Sequence, residues 1–559
     1  MTDMFTKQII ASSLYYASEE MGIALRNSAY SPNIKERMDH SAALFDENGS
    51  LLAQAEHIPV HLGSLPWGLK NTLKYLSDHN IGLRKGDSIV VNNPYISGTH
   101  LNDVTVIRPI FYRDEIVAYS ANKAHHSDIG GKLPGSINFD GKTIFEEGII
   151  LDPVFLMRND EFNRDVISIF SSNSRNPYER IGDIKAQVAA NYTGERRVLE
   201  IIERNGLDAF REARGYYLEY ADQLARSRIS EIPHGTYAAE DYLEKPDGTD
   251  IRLKVTIRVS EDRIGVDYTG TDGQVDVPLN AVLGVTISGV YYVFRTLMGS
   301  DMPVNDGTFR FLDIHVPDRT VLNPAFPAPV SGGNVEASQR NADLIYLALS
   351  KAIPDRVPAA SGGSMNNIMM GGLNNGRSWA FYETIGVGLG GKLGKDGTDG
   401  IHANMTNTMN TPIEEIERTM PLIMKRYEFR QNSAGLGKYR GGSGIIRSFM
   451  VRDGEITVTV LSERERHRPW GLQGGMTGAP TEVRIFAGGR WRKGSTKATY
   501  YLKQGDIIEI RTAGGGGYGK PQDRDKEKVE ADIASGLITR GYMERTIRSV
   551  NHHNMSPPE

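Results

Sequence analysis

The sequence predicts an α+β fold: a multidomain mixed structure whose N-terminal part is built from helices and hairpins and whose C-terminal part is β-rich. Three observations predict it. Apolar residues recur at helical spacing between Asp3 and Ser28, at Phe5, Ile9, Ile10, Leu14, Met21, Ile23 and Leu25. An Asn48-Gly49 pair separates two short runs, Ser41 to Phe45 and Ser50 to Ala55, in the pattern of a tight hairpin. From residue 427 to 520 the chain alternates apolar stretches with clusters of glycine.

The N-terminal helix is expected to end before Ser31-Pro32-Asn33, because proline disfavours helix in the residue that precedes it. Lys35 to His40 then leads into the hairpin, which places Asp39 and His40 at the start of a strand. His57 and His61 follow the returning strand, and a helix is expected from Ser64 to Leu76. An apolar run, Asp87 to Val91, stops at Asn92-Asn93-Pro94-Tyr95, where Asn and Pro favour a turn. After the loop that carries His100 and Asp103 come Val104 to Phe111, rich in β-branched residues, a turn at Arg113-Asp114, and a returning strand from Glu115 to Ala124.

If those two strands pair, His125 and His126 emerge beside His100 and Asp103. A single loop histidine is ordinarily a surface or hydrogen-bonding residue. Here seven of the 13 histidines (His40, His57, His61, His79, His100, His125 and His126) fall in the first quarter of the chain, flanked by Asp39 and Asp103. Neutral imidazole with carboxylate suits a divalent first-row metal such as Mn, Zn or Fe. Such a centre keeps positions open for water and substrate, lowers the pKa of the water and polarises a carbonyl.

After Asp128 a glycine-rich loop (Gly130, Gly131, Gly135) precedes helical periodicity from Asn176 to Arg228. Ser230 to Gly235 reads as a boundary, residues 236 to 320 read as strand-rich, and a helical stretch, Glu336 to Lys351, opens after Val330-Ser331-Gly332-Gly333-Asn334. Free N–H groups at such a start can take an anion, although most glycine-rich starts are only turns. The glycine clusters 435–444, 471–475 and 514–519 are expected at tight turns between strands. Gln522 to Ala534 is expected to be a charged surface helix, and the tail around His552-His553 to be disordered.

Composition narrows the functional classes. A chain of 559 residues is expected to hold two to four domains. They are read as a metal-binding catalytic region at 1–230, a mixed α/β central region at 231–426, a β-rich glycine-punctuated region at 427–521, and a C-terminal helix and tail at 522–559. A net charge of −5 provides no basic field for nucleic acid or anionic membrane. The absence of cysteine removes disulfides, thiol nucleophiles and thiolate ligands, which leaves His and carboxylate to hold a metal. With no basic leader and no apolar run near 18 residues, a soluble cytoplasmic protein is the expectation.

Gly386-Val387-Gly388-Leu389-Gly390-Gly391 fits the dinucleotide pattern, yet the next residues, Lys392 to Gly400, have the character of a loop rather than a helix. The same segment approaches a P-loop but has Leu393 where Ser or Thr should hold Mg²⁺. No ATP site of its own is therefore expected. Serine-nucleophile motifs are also missing.

Several longer motifs resemble the hydantoinase B/oxoprolinase family, the β-type subunits of ATP-dependent N-methylhydantoinase, caprolactamase and acetone carboxylase and the corresponding half of 5-oxoprolinase. They are Glu36-Arg37-Met38-Asp39, Phe45 to Gly49, Pro59 to Gly63, Gly98-Thr99-His100-Leu101-Asn102-Asp103 and Ala124 to Gly130. Downstream the resemblance continues through Gly333 to Arg340, Met405 to Pro412, Gly437 to Gly442 and Gly514 to Gly519.

The resemblance implies a metal held by Asp39, His100, Asp103 and His125. It also implies a separately encoded hydantoinase A-like ATP-binding subunit that uses ATP and Mg to phosphorylate the substrate carbonyl, and hence a hetero-oligomer. On this reading the chain is the metal-bearing β subunit of an ATP-dependent hydrolase of cyclic amides such as a hydantoin, 5-oxoproline or a related lactam. A subunit of a ketone carboxylase and a non-catalytic scaffold are the alternatives. His126 and Asp128 are candidates for proton transfer or for orienting the ligands. Arg340 and Asn407 are weighed as lining a substrate or phosphate path, with structural roles preferred for both.

Overall fold

The computed structural model describes residues 2–374 and 376–553, with side chains described up to residue 546. Four sheets and the helices packed on them form an α+β architecture. A seven-stranded sheet of order β2-β1-β5-β4-β3-β6-β7 holds β1 (His40–Asp46), β2 (Leu51–Ala55), β3 (Ser88–Val91), β4 (Asp103–Tyr112), β5 (Glu115–His125), β6 (Val154–Arg158) and β7 (Glu161–Phe162). A second sheet, β11-β10-β9-β8, is built from β8 (Gly235–Glu244), β9 (Asp250–Val259), β10 (Ile264–Asp267) and β11 (Leu312–His315).

Two further sheets interleave along the chain. The first, β13-β12-β16-β19, joins β12 (Asn367–Asn374) and β13 (Arg377–Glu383) to β16 (Glu455–Leu461) and β19 (Lys497–Lys503). The second, β14-β15-β20-β17-β18, holds β14 (Leu422–Phe429), β15 (Ile445–Val451), β17 (Glu482–Ala487), β18 (Arg490–Gly494) and β20 (Ile507–Arg511).

Both faces of the seven-stranded sheet are covered, so its central strands are buried at successive residues. Ala42 and Leu44 of β1 pack with Ile10, Leu14 and Met21 of the N-terminal helix Met4–Ser28, which Asp3 caps by accepting from Thr6 N–H. Ala43 and Phe45 face the opposite core, with Leu65 and Leu69 of the helix His61–Asp78. The alternation in β1 thus separates two cores rather than core from water.

Four sequence expectations change. The single helix over 176–228 is two, Pro177–Asn205 and Leu207–Ile229, because Gly206 at φ +88° breaks it. Within the strand-rich stretch lies a helix, Leu283–Met298; its β-branched residues read as strand, while burial on several sides masks its 3.6-residue period. The helix Arg540–His553 runs through His552-His553, where a disordered tail was expected; residues 554–559 lie outside the described residues.

The glycine clusters, fourth, are not strand turns. Residues 513–517 form an extended segment whose successive N–H groups leave in different directions, Gly515 to Gly442 O, Gly516 to Ala360 O and Gly517 to Met476 O. That radiating pattern is what a threefold extended backbone provides. Its neighbours pack backbone to backbone: an added Cβ would lie 1.9 Å from Leu389 O at Gly515 and 1.9 Å from Trp470 O at Gly516. Glycine is therefore demanded here by close approach. Gly388, Gly390 and Gly391 of the dinucleotide-like run belong to the same packing. Among the described residues no helix is long and apolar enough to cross a membrane.

Candidate metal centre

Strand pairing brings three predicted residues to one point. The β4–β5 register sets Asp103 opposite His125. His100 is delivered by a tight sequence of turns: Asn93 caps Pro94–Ser97 by accepting from Tyr95 N–H, and Gly98 at φ +89° reverses the chain. An added Cβ at Gly98 would lie 2.9 Å from Ser64 O, so the reversal is pressed against the helix His61–Asp78. Asp103 N–H then closes on His100 O at 3.0 Å.

The three side chains converge. His100 Nε2 lies 3.0 Å from His125 Nδ1 and 3.2 Å from Asp103 Oδ1, and His125 Nδ1 lies 3.1 Å from Asp103 Oδ1. His100 Nδ1–H donates to Ser331 O at 3.2 Å, which leaves the Nε2 lone pair facing the cluster. His61 joins from the side, with Nε2 3.4 Å from Asp103 Oδ2 and Nδ1 3.0 Å from Ser41 Oγ. The donor atoms of His100, Asp103 and His125 lie within 4.8 Å of one another in a buried setting. Two imidazole nitrogens and one carboxylate oxygen aimed at a common point fit a divalent first-row cation, whose bonds to such atoms are about 2.0–2.2 Å.

Burial alone would raise the Asp103 carboxyl, but the charge of His100 and hydrogen bonds to His100, His125 and His61 hold it well below the usual carboxylate range. Burial depresses His100, and Asp103 outweighs it, so that imidazole is raised; for His125 burial wins and the group is lowered. Burial also brings the Lys123 ammonium down to about 7. Its Nζ donates to Ser97 O at 2.7 Å and Thr99 Oγ1 at 3.1 Å, tying the turn before His100 to β5.

The other predicted residues fall around this point. Asp39 accepts His125 N–H at 3.0 Å through its backbone carbonyl, and its negative charge raises the proton affinity of both His100 and His125. Its carboxylate is outside the tight three-residue group.

His126 and Asp128 are not brought to the cluster. Successive strand residues point to opposite faces, and His126 turns to the helix Pro177–Asn205, where its Nε2–H donates to Gln187 Oε1 at 3.0 Å. Asp128 organises the following loop, accepting from the N–H of Gly130, Gly135 and Arg175 and from Arg175 Nη1 at 2.9 Å. Arg340 is buried in ion pairs with Asp241 at 3.2 Å and Glu463 at 3.0 Å, and Asn407 is exposed.

Sequence reasoning did not single out His61 as a partner of Asp103, nor Tyr382, whose ring stacks on His125 with centroids 4.5 Å apart. Arg37 also lies over that ring, 4.9 Å from its centroid. His61 could have been found from the crowding of histidine in the first quarter. Nothing local marks Tyr382.

The chain is similar to known proteins along nearly its whole length. The family model described as hydantoinase B/oxoprolinase matches residues 3–521. An uncharacterized protein of Methanocaldococcus jannaschii is 49% identical, covering 96% of this chain and 94% of its own. 5-oxoprolinase 1 of Arabidopsis thaliana is 34% identical over 90% of this chain, which spans 40% of the length of that relative. Among solved structures, the ATP-dependent caprolactamase of Pseudomonas jessenii superposes with a TM-score of 0.89 at 28% identity, over 96% of this chain and 95% of that one. The nucleotide-free acetone carboxylase shares the fold, with a TM-score of 0.90 at 19% identity over 97% of this chain and 79% of that one.

Proposed function

The chain belongs to the hydantoinase B/oxoprolinase family, and on that premise we propose that it is the metal-bearing subunit of an ATP-dependent cyclic-amide hydrolase. Its substrate class is a hydantoin, 5-oxoproline or related lactam, and its partner is a hydantoinase A-type ATP-binding subunit that phosphorylates the substrate carbonyl. One observation carries the reading: the convergence of His100 Nε2, His125 Nδ1 and Asp103 Oδ1 at 3.0–3.2 Å in a buried site.

His100, Asp103 and His125 would hold the metal, with Asp39 completing the set. When bound, a divalent cation supplies a Lewis acid for the carbonyl or phosphoryl oxygen and lowers the pKa of a coordinated water. The chain prepares the site for it. Ser331 fixes the His100 tautomer, His61 holds the second oxygen of Asp103, and Tyr382 covers His125. Burial of all three donors keeps bulk water out and strengthens each electrostatic contact. Phosphorylation by the partner makes a stable amide a better electrophile, so the two subunits divide activation from hydrolysis.

The test is reconstitution with the ATP-binding partner, Mg-ATP and a panel of lactams. Metal-loaded wild type is expected to form ring-opened acid with ATP consumption, and His100→Ala and Asp103→Ala to lose metal and product together. Bicarbonate-dependent C–C bond formation in place of ring opening would make the protein a carboxylase subunit instead. Retained ring opening in Asp103→Ala would remove the cluster from the chemistry.

A further inference from the structure

His100 takes its orientation from Ser331 O, and Ser331 is itself held from behind. Glu147 Oε1 accepts Val330 N–H at 2.9 Å and Ser331 N–H at 3.0 Å. Ser331 O in turn accepts His100 Nδ1–H at 3.2 Å. Hydrogen bonds thus run from a buried carboxyl group, through one backbone residue, to the imidazole whose Nε2 faces Asp103 and His125.

Glu147 is fully buried, and among the described residues it forms no ion pair with a lysine or arginine. Burial raises its carboxyl to about 7, against the hydrogen bonds from Ser331 and Val330 and the charge of His100, which lower it. A carboxyl group without a counter-ion is an unfavourable way to fill an interior. Its use here lies in the acceptor it provides, which does not depend on charge. Oε1 makes both backbone contacts, and a proton taken up belongs on the other oxygen, so Oε1 accepts in either form.

The place of Glu147 is set by the loop that follows His125. Lys132 N–H donates to Glu146 O at 3.0 Å and Ile149 N–H to Ile129 O at 3.2 Å, so residues 129–132 and 146–149 run side by side. An added Cβ at Gly131 would lie 2.8 Å from Glu147 O, and the φ of +90° there also favours glycine. Ile144 N–H donates to Pro327 O at 3.1 Å, which lays the same stretch along the segment leading to Ser331. Tyr95, in the turn before His100, holds that segment as well, its hydroxyl donating to Ala328 O at 2.9 Å. The loop after His125 and the backbone behind His100 are therefore joined through Glu147.

On the metal-centre reading above, we propose that Glu147 is a positioning residue: through Val330 and Ser331 it holds the His100 imidazole with Nε2 turned to the cluster, and so sets the affinity for the cation. It stands outside the ligand set and touches neither metal nor substrate. Groups that orient a ligating histidine from behind are worth about 10–100-fold in metal affinity. Removing Glu147 leaves two buried N–H groups in search of another acceptor, and Ser331 O moves with them.

The experiment is calorimetric titration of the chelator-stripped full chain with Mn²⁺ and with Zn²⁺, for wild type, Glu147→Ala, Glu147→Gln and Glu147→Asp. Glutamine keeps an acceptor in the place of Oε1 and removes the charge. Alanine removes the acceptor, and aspartate draws the carboxylate back by one methylene. Each protein is also loaded with Co²⁺, whose visible absorption reports the arrangement of its ligands, and melted without metal.

Glu147→Ala is expected to lose about tenfold or more in affinity with a shifted cobalt spectrum, Glu147→Gln to stay within about threefold of wild type, and Glu147→Asp to fall between them. A merely structural residue would lower the melting temperature and leave the affinity and spectrum of the folded chain unchanged. That result in Glu147→Ala overturns the positioning role and leaves the metal centre standing; where alanine does not fold, the same result in Glu147→Asp overturns it. A loss in Glu147→Gln as large as in Glu147→Ala overturns it too, because charge rather than position would then hold the affinity. Failure of wild type to bind either metal overturns the metal-centre reading and the role of Glu147 with it.

Discussion

Two of the buried clusters of charged and polar groups in this molecule are built on opposite principles. Around Arg340 and Arg464, opposite charges meet: Arg340 pairs with Asp241 and Glu463, Arg464 with Asp241 and Asp343, and Lys497 with Glu463, all at 2.6–3.3 Å. Around Asp103, acceptors meet acceptors: two imidazole nitrogens and a carboxylate oxygen crowd within 3.0–3.2 Å. The first arrangement sets each cation against carboxylates of its own cluster and ties β8, the helix Ser338–Leu349 and the chain after β16 together. The second is complete only with something positive. Burial of charge is common to both, so it is the balance within each cluster that separates architecture from chemistry.

The comparison breaks most visibly if a partner is removed from the paired cluster. Arg340→Met would leave Asp241 and Glu463 short of a counter-charge in the interior, and such a loss costs about 3–5 kcal/mol. A denaturation midpoint lowered accordingly, with metal content per folded chain unchanged, is the expected outcome. A loss under about 1 kcal/mol would mean that Arg464 and Lys497 suffice and that the network is redundant.

Removing a group from the open cluster should act differently. Added metal at 100 times its Kd is expected to stabilise wild type by about 2.7 kcal/mol, and this increment should vanish in Asp103→Ala. Thermal melts with and without metal read it directly. An increment that survives in Asp103→Ala would locate the bound metal elsewhere.

Much of this contrast could be foreseen from the sequence, but only where it is local. The helix Met4–Ser28, the hairpin around Asn48-Gly49 and the β4–β5 pair all follow from spacing and turn residues within a few positions. His100, Asp103 and His125 come with them, because one hairpin register decides where they meet. Ser331 contacts His100 across 231 residues, and the Tyr382 ring reaches His125 from another sheet. No periodicity records such contacts.

The misreadings have the same origin. Paired strands and the extended glycine segments at 514–517 share a composition of glycine and apolar residues, and only the radiating hydrogen bonds distinguish them. The helix Leu283–Met298 is wrapped by its neighbours, so its amphipathic signal is erased by the tertiary structure that buries it. His126 is adjacent to His125 in sequence, but the period-two geometry of a strand turns it to Gln187.

Glu336 lies at the border of the two clusters and sharpens the comparison through pH. Burial raises its folded-state carboxyl to about 8 from the ordinary 4.5, so the native chain keeps a proton that the unfolded chain has released. Between those values stability falls as pH rises, with a slope of up to about 1.4 kcal/mol per pH unit from this one group. Below the unfolded value the contribution is fully present; above the folded value it is gone. Glu336→Gln cannot release a proton, so its stability relative to wild type should improve between pH 5.5 and 7.5. Parallel pH profiles for the two proteins would mean that the carboxylate is already ionised and paired.

The smallest expected effect tests whether burial or distance decides. Arg418 and Glu415 make contacts of 2.8 Å, at least as short as the 3.0 Å between Arg340 and Glu463, but Arg418 is 71% exposed. Water screens such a pair and competes for both partners, while ordering two long side chains costs entropy. Arg418→Ala is therefore expected to change stability by less than about 0.5 kcal/mol, whereas Arg340→Met removes a contact of similar length at several times that cost. Both values come from the same denaturation experiment. Similar losses for the two variants would show that contact geometry dominates, and the distinction drawn between the paired and open clusters would then have to rest on their hydrogen bonds alone.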